Sequence, residues 1–456
     1  MILTPAQIAE ATGGRLVRDA PAGPLHTDTR HLVEGAWFLA LRGENFDGHN
    51  YLEAAASLGC AGVIAETAPD DFSKGLVLVD DTLAALQDCA RAVRRGFVGD
   101  VVAVTGSAGK TTTRALVGSV LSQAHRVHET QGNFNNHIGL PLTLMALSPD
   151  ADVLVLEMGM SAPGEIHLLQ DIASPTIRII TNVSAAHTEG TGSIDGVALC
   201  KQELFDGARP GDLLVVNADD SRVEGMPRPE GTRVLRYGTS QDCDFQLLEA
   251  SIDEQSLATH ARIQTPDNIL EVVLAAPGHH IAMNACAAVA VAWSLGLESL
   301  DIVQGLASWK VVGMRMRVEN LEEGVVVLND AYNANPASTT AALKTLACTA
   351  GDRKVALLGD MLELGAAEDA AHEAMVREAA AAGVGMLGLV GPRYGAFASL
   401  ASELIDGELL LAEDSASLAR KLEGKIRAGD VVLLKGSRGI RMERVLEGLV
   451  LGESSC

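Results

Sequence analysis

The chain has 456 residues, 47% of them hydrophobic and 21% charged, a balance that can supply the cores of about three globular domains. Acidic residues outnumber basic residues by 59 to 35, giving a formal net charge of −24, and only 3% of residues are aromatic. Both features exclude a nucleic-acid-binding protein, which needs basic surfaces and aromatic stacking platforms.

The N-terminus and the cysteines indicate the compartment. Residues 1–14 show neither a basic n-region nor a continuous apolar stretch, so no secretory signal is expected. The most apolar stretch, 281–297, is interrupted by Asn284 and is too short to span a membrane, so it predicts a buried helix. Seven dispersed cysteines without a C-x-x-C pair are typical of reduced thiols. We therefore expect a cytoplasmic protein without membrane insertion.

The first block, residues 1–85, predicts a small mixed α/β domain. An amphipathic segment from Thr4 to Ala11 opens it, with Thr4 placed as an N-cap and Pro5 at the first helical position. The stretch 91–99 is basic and polar, which indicates the end of a helix and a linker.

The second block, residues 86–308, alternates apolar runs at 101–104, 153–156 and 177–181 with helical stretches. This order predicts a parallel sheet of the P-loop ATPase type. From 232 to 276 the hydrophobic period becomes two, with a turn at 265–268, which predicts an antiparallel subsheet.

The third block, residues 309–456, alternates apolar strands with alanine-rich helices. The strands are expected at 325–329, 354–358, 386–390, 408–411 and 431–434. The pattern is typical of a doubly wound, Rossmann-like domain. The predicted fold class is therefore α/β in three domains, with a boundary close to 300–312.

The sharpest local motif is the glycine-rich run from Thr105 to Thr112 (TGSAGKTT), between an apolar run and a helical stretch. Such a loop wraps a phosphate with backbone N–H groups at a helix N-terminus. Lys110 would then reach the β- and γ-phosphates of a nucleotide, and the Thr111 hydroxyl would bind Mg²⁺. The strict pattern has glycine where this chain has Val104, so an ordinary glycine-rich turn is the alternative.

Two further side chains follow the next strands. Glu157 ends the run at 153–156, where a parallel sheet places ligand-binding groups, and its carboxylate could hold a metal ion. A surface glutamate is the alternative. His187 follows the third strand and is expected at the same edge of the sheet, although an isolated histidine is more often a loop residue.

A dense polar cluster follows the first strand of the third block, in the sequence DAYNANP from Asp330 to Pro336. Such a cluster before a helix is either an N-cap group or a ligand-binding loop, and spacing alone does not separate the two.

Taken together, these motifs resemble the Mur ligase family over nearly the whole chain. The resemblance is carried by eight ordered segments: TGSAGKTTT (105–113), GNFNNHIGLPLTL (132–144), EMGMSAPGE (157–165), NVSAAHTEG (182–190), GVALCKQELF (196–205), NDAYNANPAS (329–338), LLGDMLELG (357–365) and KGSRG (435–439). Val104 fits, because this family uses a shortened phosphate loop.

The resemblance implies an ATP-dependent amide ligase that joins D-alanyl-D-alanine to UDP-N-acetylmuramoyl-tripeptide through an acyl phosphate. It implies two Mg²⁺ ions, with Thr111, Glu157, His187 and Lys201 as metal-site residues. Lys201 would be carbamylated, because Mg²⁺ prefers oxygen ligands and an ammonium group offers none. From the residues alone, a helical lysine would be read as a solvated surface charge.

The resemblance also assigns binding residues. Those for the nucleotide are Gly106, Ser107, Ala108, Gly109, Lys110, Thr111, Thr112, Asn284, Arg315, Asp330, Tyr332, Asn333 and Asn335. Those for the uridine diphosphate are Thr29, Arg30, Asn45 and Phe46, in the first domain. A substrate-facing loop of the third domain, which would bind the dipeptide, contributes Lys435, Ser437 and Arg438. Lys110, Lys201, His187 and Glu157 would form the catalytic group.

The expected partners are therefore small molecules, and the chain is expected to act as a monomer. The third residue of the peptide, diaminopimelate or lysine, is left open by the sequence. The relative that adds this third residue usually carries an Asp-Asn-Pro-Arg motif, which the chain lacks. Folylpolyglutamate synthetase would not explain the first domain. A P-loop switch protein is the alternative from another class, and a binding module without activity is a weaker one.

Overall fold

The fold is described from a computed structural model, which covers residues 2–43, 45–186 and 188–453. His187, one of the predicted metal-site residues, lies outside the described residues.

The N-terminal elements are α1 (Pro5–Thr12), β1 (Arg15–Arg18), β2 (Leu25–His26), β3 (Trp37–Leu39), α2 (Leu52–Ser57), β4 (Gly62–Ala65), β5 (Gly75–Leu78) and α3 (Thr82–Gly96). The middle of the chain forms β6 (Asp100–Thr105), α4 (Lys110–Leu121), β7 (Val127–Glu129), α5 (Gly139–Met145), β8 (Val153–Glu157), α6 (Glu165–Ala173), β9 (Ile177–Ile180), α7 (Thr188–Thr191), α8 (Ile194–Asp206), β10 (Leu213–Asn217), α9 (Ser221–Glu224), β11 (Arg233–Gly238), β12 (Phe245–Ile252), β13 (Thr259–Gln264), β14 (Ile269–Leu274), α10 (His279–Ser294) and α11 (Ser299–Ser308).

The C-terminal elements are β15 (Arg317–Asn320), β16 (Val326–Asp330), α12 (Pro336–Cys348), β17 (Arg353–Gly359), α13 (Glu368–Ala381), β18 (Met386–Val390), α14 (Pro392–Gly395), α15 (Ala398–Leu404), β19 (Glu408–Ala412), α16 (Ser415–Leu422), β20 (Asp430–Lys435) and α17 (Glu443–Glu453). Among the described residues, no helix combines the length and the apolar character needed to cross a lipid bilayer.

The chain divides into two compact units. The first comprises Met1–Ala103, His125–Gly159 and Gly164–Ile177, and the second comprises Val104–Ala124, Met160–Pro163 and Arg178–Cys456. The predicted boundary between residues 85 and 86 falls inside α3, which is continuous from Thr82 to Gly96. The three domain ranges given by the sequence stay predictions.

The first unit contains a mixed sheet in the order β1-β5-β4-β3-β2. β1 is antiparallel to β5, and the other pairs are parallel. Alternate residues of a strand face opposite sides, so Trp37 packs with Ile8 of α1 and Leu86 of α3, whereas Phe38 packs with Leu52 of α2. α1 begins with the expected capping box at Thr4. The same unit holds β6, β8 and β7, in that order.

The second unit contains six strands in the order β14-β13-β12-β11-β10-β9. β12, β13 and β14 are antiparallel, as the two-residue period predicts. β11 also lies in the stretch predicted to be antiparallel, but it is parallel to both β10 and β12. Helix α9 makes the crossover connection from β10 to β11. The predicted buried helix is confirmed as α10, which has fully buried alanines such as Ala285 and Ala288.

The C-terminal sheet of the second unit has the order β15-β16-β20-β17-β18-β19. The five predicted strands are all present and parallel. The sequence missed β15, an antiparallel edge strand paired with β16. Leu343 and Met375 pack on one face and Leu418 and Val445 on the other. Helices therefore cover both faces, as in a doubly wound fold.

Candidate active site

The phosphate-loop motif forms a tight turn between β6 and α4. Gly106 has φ +151° and Gly109 has φ +81°, values that side chains with a Cβ disfavour. A Cβ on Gly106 would lie 1.8 Å from Thr181 Oγ1, and one on Gly109 would lie 2.8 Å from Asn284 Oδ1. Both positions therefore require glycine, so the conformation of the loop depends on these two residues.

The segment after β9 holds this loop from one side. Asn182 Oδ1 accepts the Ala108 amide at 2.9 Å, and Asn182 Nδ2 donates to the Ala108 carbonyl at 3.0 Å. Thr181 Oγ1 donates to the same carbonyl at 2.6 Å. Ser107 Oγ accepts the Ser184 amide at 2.9 Å. The loop conformation is thus fixed by side chains more than 70 residues further along the chain.

Lys110 begins α4, and its Nζ donates to the Gly106 carbonyl at 2.7 Å. No side chain caps this helix, so the amides of its first turn point toward the loop, where the helix dipole favours an anion. Thr111 and Thr112 follow and are 5% and 7% exposed. The positive charge of Lys110 and the amides of the first turn are the features that suit a phosphate group.

Lys201 lies on α8 and is only 2% exposed. Burial lowers the pKa of its amine well below the usual value, and the positive charge of Lys110 lowers it further. The interpretation of this lysine as a solvated surface charge is wrong. A lowered pKa favours the neutral, nucleophilic form of a buried amine.

A cavity of about 510 Å³ adjoins the phosphate loop in the second unit. Asn284, at 9% exposure on the first turns of α10, lines it together with Asn182. The other lining residues are Thr181, Val183, Asn217, Asp219, Asp220, Ser221, Arg222, Tyr237, His279, His280 and Met283. Burial lowers the pKa of His280 to about 4, so this histidine is neutral at pH 7. The asparagine amides and the neutral His280 of this cavity offer the hydrogen bonds that a nucleobase needs, beside charged groups at Asp219, Asp220 and Arg222.

The polar cluster after β16 provides the N-cap of α12, and its role in ligand binding stays a prediction. Asn335 caps α12 by accepting the Ser338 amide at 2.9 Å, and its Nδ2 donates to the Ser107 carbonyl at 3.2 Å. The Arg315 guanidinium stacks 3.7 Å from the centre of the Tyr332 ring, a favourable cation–π geometry. Of the predicted nucleotide residues of the third block, Asn335 is thus bonded directly to the phosphate loop.

Lys435 is buried below this cluster instead of lining an open surface. Its Nζ donates to Asp330 Oδ2 at 2.6 Å and to the Asn333 carbonyl at 2.9 Å. Ser437 is 3% exposed, whereas the Arg438 side chain is 57% exposed and pairs with Glu443 at 2.7 Å. Of the three predicted substrate residues, Arg438 has the most accessible side chain.

Glu157 ends β8 in the first unit and is 3% exposed, so the alternative of a surface glutamate is wrong. Its Oε1 accepts a hydrogen bond from Asn135 Nδ2 at 2.7 Å. Its amide donates to Thr130 Oγ1 at 3.0 Å. Asn135 therefore orients the carboxylate, whereas Thr130 fixes the backbone at the end of β8.

The predicted uridine diphosphate residues occupy two turns of the first unit. Thr29 and Arg30 lie in a short 3₁₀ turn capped by Asp28. Arg30 donates from Nη2 to Asp28 at 2.6 Å, and this contact holds the pKa of the Asp28 carboxyl well below its usual range. The Arg30 side chain is 83% exposed, so it remains accessible to an anionic ligand.

The second turn contains Asn45 and Phe46, and Phe46 is 55% exposed. His49 Nε2 accepts the Glu66 amide at 2.9 Å, so its Nδ1 carries the proton and donates to Asp47 at 2.6 Å. Backbone and side-chain hydrogen bonds from His49 lower the pKa of Asp47 to about 2. An accessible aromatic ring beside an ordered polar turn can stack against a base.

A metal cluster is not evident from acidic, histidine and cysteine side chains alone. Within residues 2–43, 45–186 and 188–453, no three such side chains converge as a metal site. The predicted magnesium site instead depends on Thr111 and Lys201, which are of other types, and on His187, which lies outside the described residues.

Sequence reasoning missed Thr181, Asn182 and Asn135 as site residues. Each lies inside or next to a segment that carries the family resemblance, and Asn182 directly follows a strand-end threonine. For Thr181 and Asn182, the position directly after β9 was the available signal, since ligand groups of parallel sheets gather at strand ends. Asn135 lies in the loop between β7 and α5 and gave no such signal.

Gly106→Ala tests the tight loop. We expect nucleotide affinity to fall at least about tenfold, because the added methyl overlaps Thr181 Oγ1 and shifts the loop. Gly211→Ala is the matched control, since Gly211 also has positive φ (+94°) but nothing lies within 4 Å of a Cβ there. ADP titration calorimetry measures both variants. Equal nucleotide affinity in the two variants would contradict the expectation.

Comparison with known families matches two stretches of the chain. Residues 104–292 match the Mur ligase middle domain. Residues 314–438 match the Mur ligase, glutamate ligase domain. The two matches contain the phosphate loop, Lys201, Asn284 and the cluster at 330–335.

Relatives extend the similarity to the whole chain. The chain is 36% identical to the UDP-N-acetylmuramoyl-tripeptide--D-alanyl-D-alanine ligase of Bacillus subtilis, over 93% of this chain and 92% of that protein. It is also 36% identical to the Escherichia coli ligase of the same name, over 98% of both.

Solved structures agree in fold. MurF from Acinetobacter baumannii has a TM-score of 0.90 at 29% identity, with 99% of each chain covered. The MurF ligase of Thermotoga maritima, crystallised in complex with ADP, has a TM-score of 0.84 at 29% identity and covers 95% of this chain and 99% of its own.

Proposed function

The chain belongs to the Mur ligase family, and from this we infer that it is an ATP-dependent ligase of peptidoglycan precursor synthesis. It joins D-alanyl-D-alanine to UDP-N-acetylmuramoyl-tripeptide. The observation that best supports this function is the similarity, over 93% and 98% of the chain, to two ligases named for this reaction. The constrained phosphate loop supplies the ATP site that the reaction needs.

The chemistry requires activation, because a carboxylate is a poor electrophile. The terminal carboxylate oxygen of the tripeptide attacks the γ-phosphorus of ATP, and the bond from phosphorus to the ADP oxygen breaks. The free amine of the dipeptide then attacks the carbonyl carbon of the acyl phosphate. Its proton is lost, the bond from carbon to the phosphate oxygen breaks, and inorganic phosphate leaves with the amide formed.

The chain's own groups position ATP and stabilise the charge that develops during transfer. Lys110 and the amides at the start of α4 face the β- and γ-phosphates, and such preorganised donors supply most of the catalysis in phosphoryl transfer. The cavity lined by Asn284 takes the adenine. Asp330, Tyr332, Asn333 and Asn335 close over adenine and ribose, and Arg315 lies near the phosphates, oriented by its stacking on Tyr332.

Mg²⁺ fits the donors that the chain offers. The Thr111 hydroxyl follows the phosphate-loop lysine, and the Glu157 carboxylate is oriented by Asn135. Hydroxyl and carboxylate oxygens are the hard ligands that Mg²⁺ selects. Bound Mg²⁺ would neutralise phosphate charge. We propose two ions, with His187 and modified Lys201 as the further ligands.

Lys201 suits carbamylation. Its neutral amine nitrogen can attack the carbon of CO₂, forming an N–C bond and releasing a proton to solvent. The resulting carbamate is an anion, so it relieves the repulsion from Lys110 that lowers the amine pKa. It also provides the oxygen ligands that an ammonium group lacks.

The remaining substrate groups are assigned by domain. Thr29, Arg30, Asn45 and Phe46, in the domain predicted at residues 1–85, hold the uridine diphosphate. The third domain binds the dipeptide, and there the exposed Arg438 suits its carboxylate. Lys435 is engaged with Asp330 and Asn333, so we assign it to ordering the ribose-side loop. Monomeric state and cytoplasmic location stay predictions of the sequence.

The assay measures phosphate release from ATP with UDP-linked tripeptide and D-alanyl-D-alanine. We expect release that depends on both substrates, with D-alanine and L-lysine as control amines that give only background. If the dipeptide gives no more release than buffer, the assignment is wrong. If the rate of ATP hydrolysis is the same with and without the two substrates, the result would favour a P-loop switch protein.

A further inference from the structure

The segment 360–365, called here the bridging loop, connects β17 to α13 and has no role in the function proposed above. It belongs to the motif LLGDMLELG and includes Glu363 at φ +64°. A glutamate in the left-handed region is strained, and such a conformation persists where surrounding contacts impose it. Those contacts indicate what the loop does.

The start of the bridging loop is rigidly anchored. Asp360 is fully buried, and its carboxylate accepts the Tyr394 amide at 2.9 Å. The Met361 amide donates to His372 Nε2 at 3.0 Å, and His372 Nδ1 donates to the Glu368 carbonyl at 2.7 Å. Both nitrogens of this buried ring are used, which fixes its neutral tautomer. The loop therefore leaves the sheet from a defined position.

The middle of the bridging loop is bonded to Ser437, in the predicted substrate loop of the third domain. The Leu362 amide donates to Ser437 Oγ at 2.9 Å, and the Ser437 amide donates to the Asp360 carbonyl at 3.2 Å. Ser437 Oγ also lies 3.4 Å from the Ala334 carbonyl, to which it donates. The substrate loop and the bridging loop thus form one hydrogen-bonded assembly.

The end of the bridging loop is hydrogen-bonded to Thr188 and Glu189, in the segment that follows β9. Thr188 Oγ1 donates to the Leu364 carbonyl at 2.7 Å, and the Glu189 amide donates to the Glu363 carbonyl at 3.2 Å. Thr188 is 5% exposed. It lies six residues after Asn182, whose amide group holds the phosphate loop. Hydrogen bonds therefore connect Thr188 to the substrate loop through the bridging loop, and Thr188 is joined to Asn182 by a short stretch of chain.

We propose that Thr188 is a positioning residue for the ligation step, acting through the bridging loop. Its hydroxyl holds the loop, and the loop sets Ser437 and its neighbours at a fixed distance from the phosphate loop. The attacking amine of the dipeptide is thereby brought to the acyl phosphate, since small displacements of reacting groups are costly in rate. This inference rests on the proposed function.

Two variants at Thr188 separate the hydroxyl from the rest of the side chain. Thr188→Val keeps the shape and removes the hydrogen bond to Leu364, whereas Thr188→Ser keeps the hydroxyl. Thr349→Val is the matched control, because it removes a buried hydroxyl that donates to the Thr345 carbonyl at 2.8 Å at the C-terminal end of α12. Steady-state kinetics, ADP titration and thermal unfolding are measured for all of them.

Thr188→Val is expected to raise the KM for D-alanyl-D-alanine about three- to tenfold, the range for loss of one buried hydrogen bond. ADP affinity and the KM for ATP should stay within about twofold, as should all parameters of Thr188→Ser and Thr349→Val. Unchanged dipeptide kinetics in Thr188→Val would overturn the proposal. So would equal losses in Thr188→Val and Thr349→Val, because these would indicate a general structural effect.

Failure of the proposed function would give a different result. In that case the unmodified protein itself would release no phosphate in response to the dipeptide, and the Thr188 comparison would have no dipeptide KM to change. That outcome overturns both proposals together, whereas normal wild-type ligation with unaffected Thr188→Val kinetics overturns only this one.

Discussion

Replacing Lys201 by alanine is expected to lower kcat about 10³-fold, the size of effect seen when one electrostatic group of an active site is removed. The change removes the amine that we propose to be carbamylated and with it the metal-binding oxygens. ADP affinity should change by less than about fivefold, because the phosphate loop keeps its own contacts. Phosphate release and ADP calorimetry measure the two quantities, and near-normal turnover would contradict the assigned role.

Lys201→Arg and Lys201→Met sharpen this test. Added bicarbonate should raise the activity of CO₂-depleted wild-type protein but not that of Lys201→Arg, whose guanidinium stays protonated and cannot form the carbamate.

In CO₂-depleted buffer, the folded state binds the Lys201 proton more weakly than the unfolded state, because burial and Lys110 lower this pKa. Stability should therefore rise with pH from the lowered pKa up to the usual 10.5. Urea unfolding of Lys201→Met should show a flatter rise.

Lys110→Met is expected to reduce kcat with the full substrates by about 10³-fold. The ammonium group that bonds the Gly106 carbonyl is lost, and with it the positive charge nearest the predicted γ-phosphate position. The main effect should be on kcat, because charge on the transferred group increases in the transition state. Rapid-quench measurement of acyl phosphate formation tests this step directly.

Lys344→Met is the control for Lys110→Met. Lys344 is exposed on α12 in the same unit, so its loss changes the net charge equally without touching the phosphate loop. It should keep activity within about twofold of wild type. Equal losses in both variants would show that net charge matters more than position, and a normal rate in Lys110→Met would contradict the phosphate assignment.

The phosphate loop could be predicted from sequence because its determinants are local. An apolar run, two glycines, a lysine and a helical stretch occur within a dozen residues, and the structure adds that Thr181 and Asn284 leave no room for a Cβ on either glycine. The strands of the C-terminal sheet were predictable for the same reason. β15 was missed because its residues, RVEN, give little apolar signal.

Burial of Lys201 and the contacts of Lys435 could not be predicted from their neighbours in sequence. Lys201 is buried by residues that converge from elsewhere in the fold, and Lys435 finds Asp330 across 105 residues. Resemblance to the family indicated that both matter. For Lys435, it placed the residue in a substrate-facing loop, and the structure shows its side chain in an internal ion pair with Asp330. Long-range pairing of polar groups leaves no periodic signal in the sequence.

Asn335 makes two hydrogen bonds that few other side chains could make together. Its carboxamide accepts the Ser338 amide to start α12 and donates to the Ser107 carbonyl with its other end. Aspartate would keep the cap but set an oxygen against the Ser107 oxygen, serine would be too short to reach, and glutamine carries an extra methylene. One terminal amide thus serves a helix start and a nucleotide loop 228 residues apart. A substitution at Asn335 that keeps the helix cap therefore still loses the bond to Ser107.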